Sequence, residues 1–217
     1  MTRNLWPTAL TSVRRSALLG FAALGAAGAI VLGPAMANAA EGGTPPAATK
    51  IADYDGALQP NGYYCGPAAT RIALSAHDKT PSFDDLADAL GTTTSGTNSI
   101  DDITRVLNAT HGDDKRYVSV KLPNRDADTT QTDTMRADVV AAINAGDPVV
   151  VNIAGTVTDT AGESHSYEGG HYLTITGYTE GGNLVSITDP ADRVGPNEYQ
   201  IPVDHMADWA GTRGYTH

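Results

Sequence analysis

The 217-residue sequence contains a single cysteine, Cys65. One cysteine excludes an intramolecular disulfide and the paired-cysteine sites that hold structural zinc. Glycine-rich phosphate loops and internal repeats are also missing, which argues against nucleotide-binding and solenoid folds. Basic residues are few, with 14 Lys and Arg against 25 Asp and Glu. An acidic chain of this kind argues against nucleic acid and anionic membranes as partners.

No metal and no cofactor are predicted. The acidic stretch with Asp126, Asp128 and Asp133 offers carboxylates that could hold calcium loosely. It lacks the glycine and the final glutamate of a calcium-binding hand. A solvated acidic loop is therefore the favoured interpretation.

Residues 1–40 are predicted to be a secretory signal peptide. Arg14 and Arg15 precede an apolar stretch, and small residues suited to cleavage follow it. The apolar stretch is short and rich in alanine and glycine, so a retained membrane anchor is disfavoured. We predict cleavage after Ala39 or Ala40, export by the general secretory or the twin-arginine route, and an extracellular protein.

The mature chain is predicted to be one domain. Removal of residues 1–40 takes away three arginines and no acidic residue, so the formal charge changes from −11 to −14. Residues 41–53 are predicted to be a flexible leader, and residues 54–217 are long enough for a single core. We expect a monomer without stable membrane association after signal removal.

Helical patterns precede strand patterns along this domain. Ser-x-x-Asp motifs at Ser82 and Ser99 predict two helix starts, and residues 135–146 predict a further amphipathic helix. In the second half, a β-prone run at 148–153 is followed by a predicted loop, rich in Gly, Ser and Thr, that extends to Gly170. β-prone runs at 171–178 and 184–188 then flank a turn and predict a hairpin. Helices followed by an antiparallel sheet indicate the α+β class.

Cys65 stands just before a helix-prone run. Gly66 precedes a proline, which favours extended backbone, so the helix is predicted to begin at Pro67 with Cys65 outside its first turn. Free N–H groups and the helix dipole favour the thiolate there. Gln59, six residues earlier, could place an amide donor beside the same sulfur. These neighbours indicate an activated nucleophile, whereas a lone cysteine without them would be an inert buried thiol.

His171 is the candidate base. Gly169 and Gly170 before it leave bare backbone where a substrate chain could approach the ring. Asp189 ends the next strand of the hairpin and could orient the imidazole, with a contact that depends on the strand register. The alternatives are a structural strand-edge histidine and a turn carboxylate before proline. Solvated or structural positions are favoured for the other histidines: His77, His111, His165, His205 and His217.

The motifs occur in the order Gln59, Cys65-Gly-Pro-Ala-Ala, Gly-Gly-His171-Tyr-Leu-Thr and Asp189-Pro. In this order the sequence resembles papain-fold cysteine peptidases, and more narrowly family thirty-nine, the bacteriocin-processing double-glycine peptidases. The resemblance implies a papain-like fold, with the nucleophile on the helical half and His and Asp on the antiparallel sheet. It implies that Cys65 attacks the carbonyl, His171 acts as base and then acid, Asp189 orients the imidazole, and Gln59 donates to the oxyanion.

The sequence thus predicts a secreted, stand-alone cysteine peptidase with a polypeptide substrate. Gly169, Gly170 and Tyr64 are predicted to contact that substrate. No transporter sequence accompanies the domain, so cleavage after a double glycine is not inferred. Two alternatives stay open. One is a papain-like cell-wall amidase or endopeptidase of the NlpC or CHAP kind, and the other is a secreted binding module with an inert Cys65.

Overall fold

The computed structural model describes the backbone of Thr49–Lys50 and residues 54–112, 116–191 and 197–217. These residues all belong to one structural unit. The predicted signal peptide lies outside the described residues. None of the described helices is both long and apolar enough to cross a membrane.

Helices dominate the first half of the described chain and strands the second. The helices are α1 (Cys65–Ser75), α2 (Phe83–Leu90), α3 (Ile100–His111), α4 (Thr129–Ala145) and α5 (Val203–Trp209). The strands are β1 (Thr49–Lys50), β2 (Ser119–Val120), β3 (Val149–Thr158), β4 (Ser164–Thr179), β5 (Leu184–Thr188), β6 (Glu198–Pro202) and β7 (Gly214–Thr216).

The strands form one antiparallel sheet between two layers of helices. Their order is β2-β7-β3-β4-β5-β6, and β1 pairs with the end of β4. Val149 and Val151 pack in a core with α4 and α5, whereas Val150 packs with α1, α2 and α3 on the other face. Both faces of β3 are therefore buried, which explains the uninterrupted valine run. This architecture confirms the α+β class.

Polar caps set the helix starts. The predicted caps at Ser82 and Ser99 are confirmed, because each hydroxyl accepts a hydrogen bond from the backbone N–H three residues later. The helix predicted from Met135 begins earlier, at Thr129. Asp128 caps it in a reciprocal capping box with Gln131, so part of the predicted acidic loop is helical.

The sheet is larger than predicted. The loop expected between residues 153 and 170 is mostly strand, and only residues 159–163 connect β3 with β4. Its serines and threonines suit the partly exposed end of a long hairpin, where polar residues can occupy strand positions. The short strands β7 and β1 were not predicted, and β1 lies within the expected flexible leader.

Candidate active site

Cys65 is the first residue of α1, two positions before the predicted helix start. The expectation that Gly66 would be extended is wrong. Gly66 has no Cβ to meet the ring of Pro67, so it continues the helix. Its missing side chain also allows close packing, since a Cβ there would lie 2.1 Å from Thr97 Oγ1. The loop carrying Thr97 therefore lies directly against the helix turn that presents the sulfur.

A buried hydrogen bond holds α1 on β4. Thr174 Oγ1 donates to the carbonyl oxygen of Ala69 at 3.1 Å. Ala69 lies about one helical turn from Cys65, and Thr174 lies three residues from His171. The bond therefore fixes the helix along the strand at the position where the thiol meets the imidazole.

Cys65 and His171 lie close enough together for each to change the protonation of the other. Burial is the largest influence on the Cys65 thiol and raises its pKa. The hydrogen bond and charge of His171, with the backbone N–H groups of Tyr172 and Gly66, outweigh burial and lower the pKa below its usual value. Burial also opposes protonation of His171, but its hydrogen bonds to Asp189 and Cys65 raise its pKa to about 9. Both shifts favour a thiolate–imidazolium pair near neutral pH.

Asp189 is fully buried and accepts hydrogen bonds on both oxygens. Oδ1 accepts from His171 Nε2 at 2.7 Å and from the Ala191 N–H at 2.9 Å. Oδ2 accepts from the hydroxyls of Tyr167 at 2.8 Å and Tyr199 at 2.9 Å. Burial raises the pKa of Asp189, but the interactions with His171 and the other donors lower it below its ordinary value. Because Nε2 of His171 is bonded to Asp189, Nδ1 is the ring nitrogen left to interact with the Cys65 thiol.

The two tyrosines were not identified from the sequence. The Tyr167 ring stacks on His171, with centroids 4.0 Å apart and planes 14° apart. Tyr199 stacks on His165 with centroids 3.8 Å apart, and His165 Nε2 lies 3.1 Å from Asp159 Oδ2. His165 lies in β4 instead of the expected loop. Aromatic rings therefore cover the Asp189 carboxylate and one face of the His171 imidazole.

A bulge in β4 brings Tyr167 onto His171. Ile153 pairs with His171 and Gly155 pairs with Tyr167, so residues 168–170 stand opposite a single residue of β3. In a regular strand, residues four apart are separated by about 13 Å. The bulge shortens this distance until the two rings stack.

A second bulge decides which face Asp189 occupies. Thr176 is the extra residue in β4. On the side of Thr176 away from the turn, Thr174 pairs with Thr188. Asp189 follows Thr188, so it lies on the opposite face from Thr174 and on the same face as His171. Without the extra residue, the pairing nearer the turn would continue and place Asp189 opposite Thr174. The bulge therefore sets the register on which the predicted contact between Asp189 and His171 depends.

Gln59 is anchored beside the segment that follows Asp189. Its backbone N–H donates to the carbonyl of Pro190 at 2.9 Å. Its side-chain Nε2 donates to the carbonyl of Asn61 at 2.6 Å and keeps a second N–H. Its Oε1 is buried and has no hydrogen-bond partner among the described residues. The oxyanion role of Gln59 stays a prediction.

A cavity of about 380 Å³ adjoins the reactive pair. Its lining includes Cys65, His171, Gly169, Gly170, Tyr63 and Arg213. Tyr64, expected to contact substrate, lies outside this lining, and its hydroxyl donates to Asp84 of α2 at 3.0 Å. In the described part of the chain, no group of three His, Cys, Asp or Glu side chains is arranged to hold a metal ion.

Comparison with known proteins identifies related chains. A family model described as "Peptidase_C39 like family" matches residues 51–216. A crystal structure described as a C39-like peptidase from Bacillus anthracis is 13% identical with a TM-score of 0.53, covering 78% of this chain and 96% of that chain. This likeness shows a shared fold. No curated protein matches the sequence.

Two further solved structures come from transporter-linked peptidases. A double glycine motif protease from an AMS/PCAT transporter, solved with its leader peptide, is 14% identical with a TM-score of 0.47, covering 80% of this chain and 96% of that one. The peptidase domain of Streptococcus ComA, a bifunctional transporter of a quorum-sensing pathway, is 16% identical with a TM-score of 0.46, covering 73% of this chain and 93% of its own.

Proposed function

Because the chain belongs to the peptidase C39-like family, we propose that it hydrolyses peptide bonds in polypeptides with Cys65 as the nucleophile. The observation that carries this proposal is that Cys65 and His171 line the same cavity, while His171 Nε2 is hydrogen-bonded to the buried Asp189 carboxylate at 2.7 Å. The cavity is large enough for part of a peptide chain.

Acylation would begin at the Cys65 thiolate. The sulfur attacks the carbonyl carbon of the scissile bond, and the carbonyl oxygen becomes an oxyanion. The backbone N–H of Cys65 and the free N–H of Gln59 Nε2 would stabilise that charge. His171 then donates its proton to the leaving nitrogen, the C–N bond breaks, and a thioester to Cys65 remains.

Deacylation uses the same groups in reverse. Water attacks the thioester carbonyl while His171, now neutral, accepts a proton from it, and the Cys65 thiolate leaves. Asp189 stays ionised throughout, because its role is to orient the ring and stabilise the imidazolium. The hydroxyls of Tyr167 and Tyr199 keep the carboxylate in position for that role.

We also propose that the peptidase acts outside the cytoplasm as a monomer. The pattern of residues 1–40 supports export, and its removal would leave a strongly acidic mature chain. The proposed partners are polypeptide substrates, with no role for nucleic acid or stable membrane binding.

Peptide cleavage by the mature chain tests the proposal. A proteome-derived peptide mixture is incubated with the protein, and new termini are identified by mass spectrometry. We expect cleavage by the natural sequence and none by Cys65→Ala or His171→Ala. His205→Ala, which changes an exposed histidine of α5, is the matched control and should cleave normally.

Two other results would contradict the proposal. Release of fragments from peptidoglycan without cleavage of any polypeptide would identify a cell-wall amidase or endopeptidase. No cleavage of either material, with a Cys65 that reacts only as a free thiol, would identify a binding module.

A further inference from the structure

Arg213 lines the cavity that contains Cys65 and His171. Its guanidinium group packs against the backbone of Gly170, where a Cβ would lie 2.8 Å from Arg213 Nη1. Gly170 has a φ of +96°, a conformation that favours glycine. The glycine before His171 therefore makes room for a cationic side chain directly beside the reactive pair.

Few groups of the protein balance the charge of the Arg213 guanidinium or accept its hydrogen bonds. Its hydrogen bond to Asn152 Oδ1 is long, at 3.4 Å, and no carboxylate in the described part of the chain forms an ion pair with it. A guanidinium carries five N–H donors in a fixed plane. Most of these donors are therefore available to a molecule in the cavity.

The surrounding strands hold Arg213 in place. Asn152 is buried, and its Nδ2 donates to the hydroxyl of Tyr172 at 3.0 Å, which directs its Oδ1 towards Arg213. Asn152 is also the sheet partner of Tyr172 in β4 and of Gly214 in β7. Three adjacent strands thus position the cation, so a ligand need not order it on binding.

Apart from the Cys65–His171 pair, whose opposite charges cancel, the charge among the described residues that line the cavity is positive. Arg213 and His171 are its basic side chains, and no acidic side chain is among the described residues that line it. The mature chain as a whole is strongly acidic, so this cavity differs from the rest of the protein. Substrates with a negative group suit it better than substrates with a positive one.

We propose that Arg213 binds a carboxylate of the peptide substrate close to the scissile bond. This inference rests on the peptidase function proposed above. Carboxylates match the planar fork of a guanidinium, which can donate two parallel hydrogen bonds to them. The carboxylate is supplied either by a Glu or Asp side chain or by the free C-terminus of a short peptide.

The position of the carboxylate follows from the contact with Gly170. That residue is the immediate neighbour of His171, and each residue of an extended substrate spans about 3.3–3.6 Å. A carboxylate that reaches Arg213 therefore belongs to a residue within about two positions of the cleaved bond.

Matched peptide sets test the preference. Peptides found to be cleaved by the protein are resynthesised with Glu, Gln or Lys at each position flanking the cut, and with free or amidated C-termini. We expect kcat/KM to favour Glu over Gln by about 10- to 100-fold, the range for a hydrogen bond to a charged group. If only the free C-terminus gives this preference, the terminal carboxylate is the group recognised.

Variants identify the residue responsible. Arg213→Met should remove the preference, and Arg213→Glu should reverse it towards Lys. Arg105→Met changes an exposed arginine of α3 and should keep the natural preference. Circular dichroism checks that each variant is folded. Equal kcat/KM for Glu and Gln peptides, together with equal kcat/KM for free and amidated C-termini, would overturn the role of Arg213 while leaving the peptidase function intact.

Binding measured without turnover separates the two proposals. The Cys65→Ala protein and the Cys65→Ala/Arg213→Met double variant are titrated by fluorescence anisotropy with short model peptides that differ only in Glu or Gln, or only in a free or amidated C-terminus. Tighter binding of the carboxylate form that is lost in the double variant supports the role of Arg213, even if no peptide is cleaved. Equal affinities within both pairs in the Cys65→Ala protein contradict it.

Discussion

Asp189→Asn isolates the charge that keeps His171 protonated. The asparagine keeps the size of the side chain and an oxygen that can accept from His171 Nε2. Its new amide group faces the hydroxyls of Tyr167 and Tyr199, which can rotate to accept a hydrogen bond. We therefore expect a folded protein in which the negative charge alone has been removed.

The structure indicates how large the effect is. Burial opposes the protonation of His171, whereas the hydrogen bond to Asp189 is the largest influence that favours it. The net result is a rise in the pKa of His171 from 6.5 to about 9. That rise corresponds to about 3 kcal/mol in favour of the imidazolium. Without Asp189 the largest influence that favours the imidazolium is lost while burial remains, so the pKa of His171 should fall. Cys65 then loses its cationic partner, so the pKa of its thiol should rise towards the free-thiol value of about 8.5.

The rate of Cys65 alkylation by iodoacetamide, followed against pH, measures this change. The natural mature protein should react at about pH 6, because the thiolate is already paired with the imidazolium. A thiol with a pKa of about 8.5 is only about 0.3% ionised there, so Asp189→Asn should react more slowly, by a factor of up to about 300. With substrate, kcat of the natural protein should fall above about pH 9, where His171 loses the proton that the leaving nitrogen needs.

The matched control is Asp101→Asn. Asp101 is an exposed carboxylate in α3 that lies 2.8 Å from Lys121, and α3 carries neither Cys65 nor His171. Its neutralisation should therefore leave the alkylation profile unchanged. Fast alkylation of Asp189→Asn near pH 6 would refute the reasoning, since Cys65 would then be activated without the charged pair.

Two further substitutions test the surroundings of the sulfur. Gln59→Ala should lower kcat by about 100- to 1000-fold with unchanged circular dichroism, and near-normal turnover would rule out the oxyanion role. Gly66→Ala should lower the free energy of unfolding by about 1–3 kcal/mol in urea titrations, because its Cβ would overlap Thr97 Oγ1. Gly62→Ala has open space around its Cβ and is the control, and equal stability of the two variants would contradict the steric argument.

The candidate catalytic residues could be picked out because their signals are local in the sequence. Cys65 has a proline two residues later, which is typical of the first turn of a helix, and His171 follows two glycines at the start of a β-prone run. Asp189 ends a β-prone run before a proline. Each of these patterns describes a few neighbouring residues, so no knowledge of the three-dimensional pairing was needed to find them.

Residues that support the site could not be found in this way. Tyr167 reaches Asp189 only because of two bulges in β4, and Tyr199 reaches it through the pairing of β6 with β5. Arg213 enters the cavity through the pairing of β7, a strand of three residues without a distinctive pattern. These positions depend on strand register, which alternating hydrophobicity leaves open when both faces of the sheet are buried.

Some local signals were also misread. The Asp128-x-x-Gln131 capping box was present in the sequence, but an acidic stretch without apolar periodicity favoured a loop. At Gly66 the usual effect of a following proline was weaker than expected, because that effect depends partly on the Cβ that glycine lacks.

The extra residue Thr176 has a consequence for how this segment can change in length. Residues inserted in the turn between β4 and β5 leave the strand pairing, and so the side of the sheet that Asp189 occupies, as it is. Loss of a single residue between His171 and that turn transfers the carboxylate to the far side, although every functional residue is still present. Loss of two residues returns the carboxylate to the side of His171 but displaces it by about 7 Å along the strand, too far to accept the hydrogen bond from Nε2. The number of residues between His171 and the turn is therefore fixed by the site, whereas the length of the turn is not.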